Sequence, residues 1–467
     1  MQLSKKKLLV SALLSAALSA PLAASAAEAG TMPGAIEDNG ETAYVVSELI
    51  ITGNNRHPES EIRRLVPEAT RGAVRTGRLS RQLSLLNDGQ VFRIESAFVP
   101  TSEEGIYDLH LVVEESPNDN HGSIGLSNTG DKYTGKWRLA LGWYNTDIGR
   151  NGDTLGFSYT TSPDSHFKDV SQVALTYKAI VPNAGDSMYV QYSYSDTDMG
   201  QIGTFDSGAN PNASIFATGK GHTFGYHYQR NMYYTRARHQ LFDFGLDYKK
   251  YENGQNYEGW HGVDTDYDVL TFSATYHDII RRERDMFAWN IGWTTNLGGN
   301  NEDYKKVRAN SDRAFNIFRL GANYQYTTKS DWLFGVNAYG QWTPNDLLSG
   351  EQFGAGGMGS VRGFRERAVT GDNGFGGSLE IYTPQYFPDS RFVVFVDAAW
   401  LSNNHTLAGE RGHRSVSSFG IGYRYGNDKL GLYASLDYAK PLSYGGLEGV
   451  AIHRASRPWT FTLTKTF

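Results

Sequence analysis

From His121 onward, the chain is a succession of short segments in which apolar and polar side chains alternate. In the segment DVLTFSATYHDI, for example, Leu270, Phe272, Ala274 and Tyr276 share one face, and the residues between them face the other way. Such alternation is typical of β-strands with one apolar face. Sixteen candidate strands follow one another, beginning near residues 122, 136, 153, 169, 187, 218, 238, 266, 285, 314, 331, 374, 391, 414, 429 and 457.

The connections between these strands alternate in length. Those after odd-numbered strands are mostly long, whereas those after even-numbered strands are mostly short turns such as KSD, PDS and GND. A soluble sandwich would also have alternating strands, but this asymmetry of the connections favours an outer-membrane barrel. The sequence therefore predicts an all-β transmembrane barrel of sixteen antiparallel strands over residues 121–467, closed by a last strand that ends at Phe467. The long connections are predicted at residues 198–217, 254–265, 300–313, 345–373 and 443–456.

The start of the chain has the composition of a secretory signal peptide. A basic start at Lys5–Lys7 is followed by the apolar run Leu8–Leu18 and by a small-residue cleavage pattern at Ala24–Ala26. The alternative, a membrane anchor, is disfavoured because the apolar run is short and ends in that pattern. We expect a signal peptide over 1–26, a short linker over 27–43, and no membrane-spanning helix in the rest of the chain.

Residues 44–116 differ from the later strands in their pattern of apolar residues. They predict a small α+β domain with the order strand, helix, helix, strand, strand. The segment YVVSELIITG is rich in β-branched residues, and HPESEIRRLV begins a helix with Pro58 in its first turn. In LSRQLSLLN the leucines recur at helical spacing, and Ser80 is the candidate N-cap. This domain carries no catalytic signature.

Composition and motifs exclude several classes of function. The net charge of −6 leaves no basic footprint for nucleic acid, and a chain without cysteine has neither disulfides nor thiolate chemistry. The glycines of Gly354–Gly359 match G-x-G-x-x-G, but the strand and helix that a dinucleotide site requires do not flank them. His222 and His227 fall on opposite faces of one strand, which does not suit a metal site. We therefore expect no enzyme activity, no cofactor, no metal and no nucleic-acid partner.

One long connection, residues 345–373, combines many glycines with the charged stretch SVRGFRER. A sixteen-stranded barrel is too wide for its own side chains to fill, so its lumen holds water or an inserted segment. This loop is long enough to fold back into the lumen. An arginine there needs a partner, because an unpaired charge away from bulk water is costly. We therefore expect the loop to lie in the lumen with Arg362 paired to an acid.

Three stretches stand out: LSNTGDKYTGKWRLALGW (126–143), DTLGFSYTTS (153–162) and the glycine-rich segment 353–384, which contains Val-Arg-Gly-Phe. They resemble, in turn, the first barrel hairpin, the third strand and the sixth extracellular loop of the outer-membrane transporters of two-partner secretion. That family includes the haemolysin and filamentous haemagglutinin secretion/activation transporters, and it belongs to the superfamily that joins POTRA domains to a barrel. The matching hairpin residues are Asn128, Gly130, Thr134, Gly135 and Arg138.

The resemblance implies a loop-anchoring motif made of Val361, Arg362, Gly363 and Phe364. In the family this loop is tucked into the barrel, and the motif arginine pairs with an aspartate on an inner wall strand. The matching stretch here is FVDAAW, which places Asp397 as the partner and Phe395 beside it on the same face. The family usually has glycine where this chain has Ala399, which puts close backbone approach at that position in question.

The resemblance also implies a function. Residues 44–116 would be a periplasmic POTRA domain, and the protein would secrete a client encoded nearby across the outer membrane without nucleotide hydrolysis. Outer-membrane lipid and the barrel-assembly machinery that would insert this chain are further expected partners. Insertion of other outer-membrane proteins is the alternative function, and a diffusion porin is a third, which does not explain the loop motif. Typical members have two POTRA domains and a plug helix, whereas the segment EAGTMPGAIEDNG before this domain is expected to hold neither.

Overall fold

The computed structural model divides the chain into an N-terminal domain and a closed barrel. Within the part of the chain described below, no helix combines the length and the apolarity needed to cross a membrane. The structure describes residues 32–467 except for 39–40, 90, 131–133, 206–212, 258–259, 265, 407–410 and 448–455.

The N-terminal domain (residues 32–116) has the predicted α+β composition. Its elements are β1 (Ile36–Asp38), β2 (Glu41–Thr52), α1 (Glu59–Leu65), β3 (Ala73–Arg75), α2 (Thr76–Asp88), β4 (Phe92–Pro100) and β5 (Ile106–Glu115). The sheet order is β1-β2-β5-β4, and β3 also pairs with β2. The helices cover one face of the sheet, where apolar side chains such as Ile62, Leu86 and Leu109 are almost fully buried. The alternation of β5 thus places its leucines in the core.

Three features of this domain differ from expectation. Strand β3 lies between the two helices, where the sequence predicted no strand. The linker expected over 27–43 contains a strand, because β1 forms a hairpin with the first residues of β2 and Pro33 O accepts a hydrogen bond from Tyr107 Oη at 2.6 Å. Ser80 is not an N-cap, since α2 already begins at Thr76. Its hydroxyl instead donates to Tyr234 O at 3.1 Å, which joins the helix to the barrel.

The barrel confirms the prediction of sixteen antiparallel strands in a closed sheet. Each strand pairs with its neighbour in sequence, and the last pairs with the first. The strands are β6 (Asn120–Ser127), β7 (Arg138–Asn145), β8 (Thr154–Thr161), β9 (Val170–Val181), β10 (Asp186–Phe205), β11 (Ala213–Tyr234), β12 (Arg238–Tyr257), β14 (Tyr267–Arg281), β15 (Asp285–Asn296), β16 (Asn316–Thr327), β17 (Leu333–Trp342), β21 (Asn373–Tyr382), β22 (Ser390–Ser402), β23 (His413–Asn427), β24 (Leu432–Tyr444) and β26 (Trp459–Thr466).

The connections contain further short elements, and two predicted connections were wrong. Residues 198–217 and 254–265 were expected as loops, but β10, β11 and β12 extend into them. These strands pair with one another over their added length, and backbone pairing of this kind leaves no periodic signal in a polar sequence. The added elements are β13 (Trp260–Asp264), α3 (Asn301–Val307), β18 (Phe353–Ala355), β19 (Gly363–Phe364), β20 (Val369–Gly371) and β25 (Ser456–Arg457).

The two faces of the barrel wall differ in character. On β22, Val394, Val396 and Trp400 are 50–57% exposed on the outer face, whereas Phe395 and Asp397 are 3% and 0% exposed on the inner face. Large apolar side chains point outward on the other strands as well. This outer face matches the apolar band of a barrel that contacts lipid.

The barrel closes between β26 and β6, where five residue pairs are in register, from Thr462–Ser127 to Thr466–Ser123. Phe467 continues the pairing, because its amide donates to Gly122 O at 2.9 Å and its carbonyl accepts from the Gly122 amide at 3.3 Å. Phe467 therefore takes part in the closure, as the position of the last strand predicted. No strand edge of the wall remains open to lipid in the described residues.

Closure leads to a first prediction about the purified protein. A closed sheet has no edge from which to unzip, so the unheated protein should run on a gel as a compact, detergent-resistant form and shift only after heating. Electrophoresis of heated and unheated samples measures this. A mature protein that stays in solution without detergent would contradict the membrane barrel.

Candidate functional site

Arg362 and Asp397 form a buried ion pair between the long loop and the barrel wall. The loop, called loop 6 below, comprises residues 343–372 between β17 and β21. Arg362 donates from Nε to Asp397 Oδ2 at 2.8 Å and from Nη2 to Oδ1 at 2.7 Å, and its backbone amide donates to Oδ2 at 3.0 Å. The guanidinium also lies 3.4 Å from the ring centroid of Phe395. The structure thus brings together all three of the residues expected at this contact.

The inner wall supplies a second acid that the sequence analysis missed. Glu380 Oε1 on β21 lies 2.7 Å from Arg362 Nη1. Alternation along NGFGGSLEIY does place Glu380 on the same face as Ser378, which pairs in register with Asp397. Alternation therefore shows that Glu380 faces inward. It does not show that Glu380 lies close to Arg362, because periodicity gives the face of a residue and not its distance from a loop.

The rest of the loop motif fills space against the wall. Gly363 has φ of 90°, and a Cβ there would lie 3.2 Å from both the Cβ and the carbonyl oxygen of Ala439. Phe364 is 1% exposed and meets Tyr444 edge to face, with centroids 5.9 Å apart. Val361 is fully buried. Glycine is therefore required at position 363, both for the positive φ and for the close approach of the loop to Ala439. Val361 and Phe364 pack in the apolar cluster between the loop and the wall.

Ala399, which departs from the family pattern, is also part of this contact. It is fully buried in an apolar cluster with Val361 and Phe364 of loop 6. The methyl group is thus accommodated in the packing between loop and wall. The added methyl does not separate the loop from β22, since the Arg362–Asp397 hydrogen bonds remain short.

The residues of the first hairpin also meet in the structure. Arg138 donates to the carbonyls of Thr134 and Gly135 at 3.2 and 2.9 Å and to the hydroxyl of Ser162, in the next long connection, at 3.2 Å. Gly135 has φ of 84°, and a Cβ there would lie 2.0 Å from Ser162 Oγ. The Gly130 amide donates to a carbonyl across the turn at 3.1 Å. These residues fold the β6–β7 loop and tie it to the β8–β9 loop.

Asn128 extends the closure of the barrel. Its side chain donates to Trp459 O at 3.1 Å and accepts from the Phe461 amide at 2.8 Å, while its own amide donates to Phe461 O at 3.2 Å. Nearby, β19 of loop 6 pairs with β25, just before β26. The hairpin motif and the loop motif therefore approach the same seam, where Asn128, Gly130 and Arg365 line a cavity of about 280 Å³.

The inner wall has a filled part and an exposed part. On β22, β23 and β24 the inward residues Asp397, Ser418 and Asp437 are 0–2% exposed, because loop 6 lies against this side. We call this the filled wall. On β8 and β9 the inward residues Ser158, Gln172 and Thr176 are exposed, and we call this the exposed wall; their outward neighbours Phe157, Leu175 and Tyr177 face lipid. Loop 6 therefore divides the lumen unequally.

Residues 107–425, more than half of the chain, match the family "Haemolysin secretion/activation protein ShlB/FhaC/HecB". The chain belongs to this family. Among its relatives, the heme/hemopexin transporter protein HuxB of Haemophilus influenzae is 22% identical over 343 residues, which cover 68% of this chain and 56% of HuxB. The outer membrane transporter CdiB of Escherichia coli is 34% identical over 98 residues, 19% of this chain and 16% of CdiB. This family member therefore spans just over half the length of HuxB.

Solved structures of two kinds share the fold. CdiB from Escherichia coli superimposes with a TM-score of 0.67 at 17% identity, over 97% of this chain and 94% of that one. CdiB from Acinetobacter baumannii gives 0.70 at 16% identity, over 92% and 76%. BamA from Haemophilus ducreyi lacking POTRA domains 1–3 gives 0.53 at 18% identity, over 91% and 85%. Family membership and the lipid-facing barrel place the protein in the outer membrane.

In this family member the N-terminal domain contacts the short-turn end of the barrel. His57 lies between two acids: its Nδ1 is 3.0 Å from Glu115 Oε1, and its Nε2 is 2.9 Å from Asp147 Oδ2 in the β7–β8 turn. Burial alone would raise the pKa of Glu115, but hydrogen bonds from the backbone amides of Arg56 and His57 outweigh it and lower that pKa. All three side chains of the bridge are at most 5% exposed.

Helix α2 supplies the second part of this junction. Ser84 Oγ donates to Tyr234 O at 3.3 Å, and Gln82 Nε2 donates to Pro182 O at 2.9 Å, in the turn between β9 and β10. Tyr234 in turn donates from its hydroxyl to Asp88 at the end of the helix. The domain therefore contacts the turns between the first strands of the barrel. His57 holds it at one place, and the side chains of helix α2 hold it at another.

Proposed function

We propose that this protein exports a partner polypeptide through its barrel, from the periplasm to the cell surface, without nucleotide hydrolysis. The observation that carries the proposal is the division of the inner wall. A lumen filled on one side and exposed on the other leaves a water-accessible route for an extended chain. Membership of a secretion/activation family supports the same function.

The exposed wall is the proposed path of the client. Ser158 and Thr176 present small hydroxyl groups. The residues that pair with Ser158 on the two neighbouring strands, Gly142 and Ala174, are also small. Side chains of this kind neither obstruct a passing chain nor bind one charge strongly. The filled wall, by contrast, holds fixed ion pairs such as Arg424–Asp437, with Nη1 to Oδ1 at 2.7 Å. We assign loop 6 the role of keeping the client on the exposed side.

We further propose that the N-terminal domain is a POTRA domain in the periplasm that receives the client. Near the β2 edge of its sheet, β1 and β3 pair with the first five residues of β2, 41–45. On the other edge, β4 pairs only with β5 in the described residues. An exposed strand edge can add an extended peptide as a further strand, which is a common mode of peptide recognition.

The backbone of β4 defines where such a strand would bind. Asn87 occupies the edge at Ile94, since its side chain donates to Ile94 O at 3.1 Å and accepts from the Ile94 amide at 2.6 Å. Because polar backbone groups alternate in direction, those of Ser96 and Phe98 also point outward, and no partner is found for them among the described residues. The backbone of Pro100 also faces outward, but proline has no N–H that could donate to a client strand. The proposed client strand therefore binds beside Ser96 and Phe98.

The expected partners follow from this function. The client is an exported polypeptide encoded nearby, and its folding at the cell surface gives the transport its direction. Barrel-assembly machinery inserts the transporter itself among outer-membrane lipids. HuxB is a heme/hemopexin transporter by name, and CdiB is an outer membrane transporter. The chemistry of the proposed site requires of the client an unfolded chain that can add a β-strand.

Single cysteines test the proposed path, and the chain has no native cysteine to interfere. Ser158→Cys and Thr176→Cys should export normally until a bulky maleimide is attached, which should then reduce export several-fold because it narrows the exposed side. Export of the client by cells, before and after labelling, is the measurement. Ser418→Cys on the filled wall is the matched control and should remain unlabelled, since its side chain is fully buried. Normal export after complete labelling at both Ser158→Cys and Thr176→Cys would place the path elsewhere.

A further inference from the structure

Arg308 lies just after α3, at the long-loop end of the barrel. Its Nη1 and Nη2 donate to the two carboxylate oxygens of Asp372 at 2.5 and 2.9 Å, and Nη2 also donates to Asp346 Oδ1 at 3.1 Å. Two carbonyls, those of Leu347 and His405, accept from it at 2.9 and 3.1 Å. The arginine side chain is 11% exposed, and those of Asp346 and Asp372 are 4% and 0%.

These contacts join three loops at one side chain. Arg308 belongs to the β15–β16 loop, while Asp346 and Asp372 lie near the two ends of loop 6. The β22–β23 loop contributes His405, whose Nδ1 is 2.7 Å from Asp346 Oδ2, and Asn404, whose amide donates to Asp372 Oδ2 at 2.9 Å. Each of these two aspartates of loop 6 therefore has a partner in both of the other loops.

An apolar cluster lies beside this junction. Tyr304 of α3 and Leu347 and Leu348 of loop 6 are at most 1% exposed and pack against Tyr267 and Val269 on the inner face of β14. This shared burial shows that α3 and loop 6 pack against each other and against the barrel wall. The loops therefore form a structured cover over part of the inner wall.

We infer that Arg308 is the positioning residue that locks the three loops into a single lid, and that this lock is separate from the Arg362 anchor. The acids that pair with Arg362 are on the wall strands β21 and β22, whereas both acids that pair with Arg308 belong to loop 6 itself. The purpose of the lid rests on the proposed function: it closes the exit until a client passes. The lock itself does not depend on the proposed function.

Removing the arginine should open the lid. Without Arg308, the buried carboxylates of Asp346 and Asp372 lose their shared counter-charge and repel each other, which favours separation of the loops into water. The same change leaves the strand ladder of the barrel intact, since Arg308 is not part of it. Opening should therefore occur in an assembled barrel.

Accessibility of a cysteine at Leu348 tests the lock in the full-length protein. Leu348→Cys alone should react slowly with a polyethylene glycol maleimide, because the side chain is 1% exposed. Adding Arg308→Ala should raise the labelling rate more than about tenfold, as expected when a buried pair loses one partner. Arg308→Lys should give an intermediate rate, because an ammonium cannot bridge both acids in the same plane.

Lys306→Ala is the matched control. Lys306 lies on α3, two residues before Arg308, and pairs with Asp303 at 2.7 Å. Its side chain is 60% exposed, so its loss should leave the labelling rate unchanged. Equal rates for Arg308→Ala and Lys306→Ala would overturn the lock. If Arg308→Ala fails to give a heat-shifted barrel, Asp346→Asn decides by the same measurement, and no increase there also overturns it.

Labelling and export separate the two proposals. A raised labelling rate with unchanged export would support the lock while contradicting its purpose as an exit closure. An unchanged rate would refute the lock whatever export does. A protein that exports no client at all, but whose Leu348→Cys is exposed by Arg308→Ala, would contradict only the proposed function.

Discussion

Arg362→Ala is expected to give an assembled barrel that exports its client poorly. Removal of one partner of a buried pair costs about 3–5 kcal/mol, mostly because the other charge is left behind. Here Asp397 is fully buried and would lose two side-chain donors. The cost should lie below that range, because a lumen that holds water screens the charge better than a dry core. Loop 6 should then leave the filled wall and obstruct the exposed one.

Two measurements follow this change. Export by cells should fall several-fold, while the heat shift on a gel remains. Val361→Cys, fully buried in the parent protein, should become reactive when Arg362→Ala is added. Arg362→Lys should restore only part of the export, because lysine cannot meet the carboxylate of Asp397 at two points. Unchanged export and an unreactive Val361→Cys would show that the loop does not depend on Arg362.

Exchange of the two charges gives a sharper test of the pair. Arg362→Asp with Asp397→Arg should recover more export than either single change, since coupled residues are not additive. Recovery should be incomplete, because an aspartate at 362 would face Glu380, which lies 2.7 Å from the arginine in the parent protein. Adding Glu380→Gln should therefore improve the exchanged protein. Equal defects with no coupling would leave the loop important but the partner wrong.

The fold could be predicted from the sequence where side chains alternate, and not where only backbone pairing extends a strand. The alternation of DVLTFSATYHDI gave β14 within one residue of its observed start, Tyr267. Residues 198–217 contain many glycine, asparagine and serine residues and were predicted as a loop. The strands there extend because each neighbour offers hydrogen bonds, a cause that a single segment does not reveal.

Short elements were missed for a related reason. β1 has three residues, too few for a period, and it exists because β2 pairs with it. Helix α3 has seven residues but did carry a signal: Asn300 caps it by accepting from the Glu302 amide at 3.0 Å, and acids precede lysines along it. A search for caps inside the long loops would have found it.

The site was predicted only in part for a similar reason. Alternation placed Phe395 and Asp397 on one face, and the family resemblance selected that strand as the partner of Arg362. Nothing in the spacing predicts that Arg308 would meet Asp346 and Asp372, because these contacts depend on how three loops fold together. The sequence determines such contacts only through the complete structure.

Deletion of residues 32–115 should abolish export while leaving an inserted barrel. None of the strand pairings of the barrel involves the N-terminal domain, so its hydrogen bonding remains complete. The deletion uncovers Asp147, which lies at the short-turn end where water can replace His57. Export by cells should drop to background, and the heat shift should persist. Export at the parental level would move client recognition into the barrel.

A point substitution on β4 distinguishes recognition from mere attachment of the domain. Ser96→Pro removes an outward N–H that the proposed client strand would use, and proline is tolerated on a strand edge whose N–H faces water. Export should fall several-fold, although the helix contacts that hold the domain to the barrel are untouched. Ser96→Ala keeps the N–H and removes only an exposed hydroxyl, so it should export normally. Equal export by Ser96→Pro and Ser96→Ala, with the domain folded in both, would show that the client does not add a strand at this edge.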